Sequence, residues 1–130
     1  MSTDETPTVE YHPAEGATRR PFSAAVRVGH LLYLSGQIGL DAAGKLAAGG
    51  IAPETRQTME NIKATLERYG SSLDQVIKAT VMLADIGEWA EMNQVYVTFF
   101  TDHMPARSAF GTSGLALGAR VEIECIATLR

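Results

Sequence analysis

A chain of 130 residues with 45% hydrophobic and 20% charged side chains is long enough to bury one core without disulfides or a structural metal. Its formal charge of -4 leaves no basic footprint, which argues against nucleic acid as the main partner. A single cysteine, Cys125, excludes an intrachain disulfide and points to a reducing compartment.

Residues 1–19 are rich in Thr, Pro, Glu and Arg with little periodicity, and a flexible arm is expected there, ahead of one domain at 20–130. The arm lacks the basic start and apolar stretch of a signal peptide, and no apolar run reaches the ~18 residues of a membrane span. A cytoplasmic protein with no membrane partner is expected. Short apolar runs at 24–28 and 31–35 flank Gly29-His30, which reads as a hairpin. The stretch 39–50, with Asp41, Gly44 and Gly49-Gly50, reads as a turn-rich connection.

Pro53-Glu54 opens a helix, since proline and an acid suit the free amides and dipole of a first turn. Met59, Ile62, Leu66 and Tyr69 recur at helical spacing, and Gly70 is a natural stop. Residues 76–83 are β-branched and apolar on both faces in their second half, the mark of a central strand. Asp85 precedes a second amphipathic helix with Trp89, Met92, Tyr96 and Phe99 as its inner stripe, read as core packing rather than a ligand wall. Strands are expected at 108–113 and 120–129. The order predicts an α+β domain with one sheet and both helices packed on one face.

The common catalytic constellations are missing. No phosphate loop or nucleophile elbow occurs, and Ser35 and Ser108 have no evident His partner. His12, His30 and His103 lack metal-ligand spacing, so no metal is expected. Cys125 falls on the apolar face of the last strand and reads as an inert core thiol.

Two late segments remain. Met104-Pro105-Ala106-Arg107-Ser108-Ala109-Phe110 frames an arginine, a planar fork of donors for a carboxylate. Val121-Glu122-Ile123-Glu124-Cys125-Ile126 alternates strictly, placing Glu122 and Glu124 on one strand face and Val121, Ile123 and Cys125 on the other. Two readings stand open on pattern alone. The acids form a solvated or ion-paired face, or Arg107 holds an anionic substrate while Glu122 steers a water. If the strands bearing Arg107 and Glu122 pair as neighbours, the region 111–118 lets both side chains converge.

These segments, together with Pro21-Phe22-Ser23-Ala24-Ala25-Val26, Leu34-Ser35-Gly36-Gln37-Ile38, Thr55-Arg56-Gln57, Glu60-Asn61-Ile62-Lys63 and Met92-Asn93-Gln94-Val95-Tyr96, occur in the order and near the spacing of the Rid (reactive intermediate deaminase, YjgF) family. The chain resembles that family from about residue 20 to residue 128. The resemblance implies a chorismate-mutase-like fold with a mixed sheet, assembled as a homotrimer with sites between subunits. The mixed surface of Glu122, Glu124, Ile126 and Thr128 suits a partly wet interface. It also implies hydrolysis of 2-imino acids or enamines, such as 2-aminoacrylate and 2-iminobutanoate, to 2-oxo acids and ammonia, without a cofactor. By that resemblance Arg107 anchors the substrate carboxylate and Glu122 orients water, while Phe22, Gly36, Ser108 and Ala109 contribute to binding.

Three departures bear on the carry-over. Phe22 stands where many members have tyrosine, Ala109 where cysteine is common, and Gly114-Leu115-Ala116-Leu117-Gly118 replaces a Leu-Pro-Lys type of segment. Other readings are a deaminase of a different enamine, such as 2-aminomuconate, or a trimeric binder of small carboxylates without turnover. The ribonuclease activity associated with the family is disfavoured here by the acidic balance and the lack of a His pair.

Overall fold

The computed structural model describes residues 5–16 and 20–129. Six strands, β1 (Val9–Pro13), β2 (Ser23–Val28), β3 (Leu31–Leu34), β4 (Val76–Leu83), β5 (Ala106–Gly111) and β6 (Val121–Thr128), form one sheet in the order β1-β2-β3-β6-β4-β5. The sheet is mixed, because β4 and β5 run parallel while the other pairs are antiparallel. Two helices, α1 (Ile51–Arg68) and α2 (Trp89–Tyr96), accompany it.

The β2–β3 hairpin turns at Gly29-His30, where Gly29 takes the left-handed φ of 57° that a side chain resists. Helix α1 begins two residues before Pro53, since Ile51 is itself buried, and it stops where Gly70 adopts φ 88°. Met59, Ile62 and Leu66 point from α1 into the core, against Val121 and Ile123 of β6 and Ala79, Val81 and Leu83 of β4. Each such buried aliphatic side chain is worth about 1.5–3 kcal/mol. Cys125 is 3% exposed on the same face, and burial pushes its thiol up to about 12. It is a core residue, as its strand position predicts.

Strand β4 lies between β6 and β5, and from Ala79 to Leu83 its buried residues alternate with half-buried ones. In α2, Met92 and Tyr96 are core residues and Phe99 packs against them from the following turn. Trp89, expected on the inner stripe, is instead 44% exposed. Asp85 caps the turn ahead of α2 through a 2.8 Å bond from the Gly87 amide.

Two expectations need correction. Part of the segment read as a loose arm is strand β1, an edge strand in antiparallel register with β2, and residues 1–4 and 17–19 lie outside the described residues. Its side chains are largely exposed, so it carries no hydrophobic period to reveal it. The second concerns β5, which does not pair with β6: β4 separates them. No helix among the described residues is long and apolar enough to cross a membrane.

Candidate functional site

Glu122 projects from β6 on the face away from the core, with Glu124, Ile126 and Thr128, as strand alternation requires. It is half-buried, and its carboxyl is held above the ordinary range by burial first and by the nearby Glu124 charge second. The residue against it is Gly36. A Cβ there would overlap Glu122 Oε2 and lie 3.0 Å from Cδ, so only glycine lets the carboxylate occupy this position.

Backbone bonds maintain that contact. The segment after β3 is bridged to β6 by Gln37 N–H donating to Ile123 O at 2.8 Å and Ile123 N–H returning to Gln37 O at 3.0 Å. Both bonds join the residues that directly follow Gly36 and Glu122 in the chain. From α1, the buried Glu54 carboxylate accepts the Arg120 and Val121 amides, the second at 3.2 Å, which anchors the start of β6. Ser35 Oγ donates to Ser23 O at 2.6 Å and ties the same segment to β2.

Glu122 opens onto a cleft of about 700 Å³ lined by Phe22, Ser35, Gly36, Asn61 and Leu117 among others. That volume suits a small organic ligand. Phe22 is 49% and Leu117 73% exposed, so apolar side chains share the cleft wall with polar ones such as Ser35 and Asn61. Leu117 sits at φ 57°, the one non-glycine residue with positive φ among those described. Arg20 also lines the cleft, its Nε donating to the Glu15 carbonyl at 3.2 Å.

Arg107 is elsewhere. It lies in register with Ala79, on the helix face of the edge strand β5. Its NH1 donates to Asn93 Oδ1 at 2.7 Å, and the guanidinium carbon stands 4.8 Å from the Tyr96 ring centroid and 5.7 Å from that of Trp89. Ser108 points to the opposite face, where its hydroxyl meets Lys78 Nζ at 3.2 Å, and Ala109 packs against the core. The expected convergence of Arg107 and Glu122 within one chain does not occur: β4 intervenes, and alternation sends the two side chains to opposite faces.

The family model described as Endoribonuclease L-PSP matches residues 13–129. The chain belongs to this family. Solved structures that it resembles include RidA from an Antarctic Psychrobacter, with a TM-score of 0.81 and 36% identity over 97% of this chain and 100% of that one. The YjgF gene product of E. coli gives 0.81 at 33% identity, over 92% and 94%. Protein HMF1 of Saccharomyces cerevisiae is 44% identical over 131 residues, covering 100% of this chain and 99% of that protein. The bovine 2-iminobutanoate/2-iminopropanoate deaminase is 45% identical over 108 residues, 82% of this chain and 79% of that protein.

In this Rid chain the expected site residues thus fall into two groups, Phe22, Gly36 and Glu122 in the cleft and Arg107, Ser108 and Ala109 on β5. Sequence reading missed the contacts of Asn93, Asn61, Arg20 and Leu117. For Asn93 a signal existed: Trp89, Asn93 and Tyr96 follow helical spacing and share one face of α2. His12 stacks on Tyr69 at 4.4 Å, and His103 Nε2 bonds the Asp74 carbonyl at 2.8 Å, so both rings have structural partners.

Proposed function

We propose that this chain hydrolyses 2-imino acids and their enamine tautomers, of the 2-aminoacrylate and 2-iminobutanoate type, to 2-oxo acids and ammonia. Two things support the reading. Mouse and bovine relatives at 42% and 45% identity bear the name 2-iminobutanoate/2-iminopropanoate deaminase. The observation that carries it is the Glu122 carboxylate, half-buried against a glycine in a cleft of small-ligand size and held above its ordinary pKa.

A protonated imine is already electrophilic at C2, so the protein needs only to place water, hold the substrate carboxylate and accept a proton. Glu122 takes a proton from the attacking water as the new C–O bond forms, giving a tetrahedral carbinolamine. It returns that proton to nitrogen, then takes the proton of the carbinolamine hydroxyl as the C–N bond breaks, so that the 2-oxo group forms and the departing ammonia carries that last proton away as ammonium. No oxidation state changes in the sum. A raised pKa suits a group that must both accept and return a proton near neutral pH.

The substrate carboxylate requires a cation, and Arg107 offers a fork whose Nε and NH2 have no partner among the described residues. Because Arg107 and Glu122 diverge within one chain, the reading requires the site to be completed by a second copy. A homotrimer with three shared sites satisfies this: Phe22, Gly36 and Glu122 come from one subunit, and Arg107, with the backbone around Ser108 and Ala109, from its neighbour.

The test is ammonia release from 2-iminobutanoate or 2-aminoacrylate generated in situ by an amino-acid oxidase or dehydratase. The expected result is release well above the spontaneous rate, with 2-oxo acid formed in equal amount. Binding of 2-oxobutanoate without acceleration would make the chain a carboxylate binder instead.

A further inference from the structure

Helix α2 presents Trp89, Asn93 and Tyr96 to a single side chain, that of Arg107. Tyr96 is 3% exposed and tilts against Phe100 at 5.1 Å between centroids, so the ring beneath the guanidinium is itself held in place. Asn93 takes one edge of the fork by a 2.7 Å bond, and Arg107 Nε and NH2 have no partner among the described residues. A guanidinium stacked on a fixed ring and tied at one nitrogen keeps its other edge oriented at little further loss of side-chain entropy.

The partner that ties it is an amide, and this choice has a consequence. Aspartate at the same place would make a stronger, charge-assisted bond and hold the arginine at least as well. It would also set a negative charge beside the guanidinium and weaken its pull on an anion. A residue serving only to join α2 to β5 would therefore be as good or better as aspartate. A residue that aims a cation at a carboxylate leaves the full charge available only if it is itself neutral.

We infer that Asn93 is a positioning residue that orients Arg107 for a substrate carboxylate while leaving its charge unspent. This rests on the reading of Arg107 as the carboxylate anchor. Asn93→Asp, Asn93→Ala and Arg107→Ala are to be compared with the unaltered protein for thermal unfolding, 2-oxobutanoate affinity, and kcat and KM for 2-iminobutanoate. Asn93→Asp is expected to unfold at or above the original temperature, yet to bind 2-oxobutanoate more weakly by about tenfold or more, with KM rising and kcat changing far less. Asn93→Ala is expected to raise KM by a smaller factor, since the charge survives and only its aim is lost. It also serves where Asn93→Asp does not fold. Unchanged affinity and KM in the folded Asn93 variants, with Arg107→Ala crippled, would overturn the inference and leave the anchor reading standing. Unchanged binding in Arg107→Ala would remove both.

Discussion

Arg107 and Glu122 stand on opposite faces of one sheet, with β4 between their strands: Arg107 is in register with Ala79 on the helix face, and Glu122 with Met82 on the free face. A chemistry that needs both side chains must draw them from two copies. Arg107→Ala and Glu122→Gln, each strongly impaired alone, are therefore expected to regain activity when unfolded together and reassembled. In randomly mixed rings, about a quarter of the interfaces join an intact Arg107 to an intact Glu122. The check is imine hydrolysis by the mixture against each variant reassembled alone. No regain, with mixed assemblies demonstrated, would defeat the shared site.

On the proposed mechanism Glu122→Gln keeps shape and hydrogen bonding but loses the base, so turnover is expected to fall on the order of 10²-fold. Affinity for 2-oxobutanoate should hold or improve, since a negative charge near an anion is gone. Glu124 shares the face but is about 7 Å further along the strand, so Glu124→Gln should be much milder. Equal small effects at both positions, measured side by side, would make the pair a solvated face.

Stability should report on the same carboxylate. The folded pKa of Glu122 lies above its unfolded value, so the folded state binds the proton more tightly. The associated stabilisation is present below the unfolded value of about 4.3 and is lost as pH rises through the folded pKa. Above that window the raised pKa costs stability relative to a side chain that carries no charge. Glu122→Gln is expected to unfold at a higher temperature than the unaltered chain at pH 7, with the gain shrinking as pH falls toward 4. Thermal unfolding across that range decides it, and a lower unfolding temperature at pH 7 would contradict the assignment.

Gly36→Ala introduces a methyl group where the Glu122 carboxylate now lies. The carboxylate must move, while the Gln37–Ile123 bridge that sets the strand spacing stays in place. Turnover is expected to fall at least tenfold, on the scale that small misplacements of catalytic groups produce, with a far smaller change in thermal stability. Near-normal kcat/KM in Gly36→Ala would mean that the contact has no part in the chemistry.

Losing a forked carboxylate contact should cost Arg107→Ala at least about 2–4 kcal/mol in kcat/KM, and Arg107→Lys should rescue it poorly because an ammonium is a point charge. Arg20 is the control. It lines the Glu122 cleft within the same chain, and were it the anchor, the loss would fall on Arg20→Ala while Arg107→Ala kept its activity.

Much of this was legible in the chain because it depends on near neighbours. The Gly29-His30 turn, the apolar face of α1 up to Gly70, and the two-faced alternation of β6 follow from glycine conformation, helical period and strand period, all set within a few residues. That alternation sent Cys125 inward and Glu122 outward before any partner strand was known. Strand β1 escaped because an edge strand with exposed side chains needs only backbone bonds to β2, and these leave no pattern in residue type. The placement of β5 escaped for a related reason. Whether 106–111 pairs with β4 or β6 is decided by hydrogen bonds between segments far apart in sequence, and local periodicity is the same either way. Residue types could nominate Arg107 and Glu122, but only tertiary pairing could set them two strands apart and on opposite faces, because facing depends on strand register and order rather than on spacing along the chain.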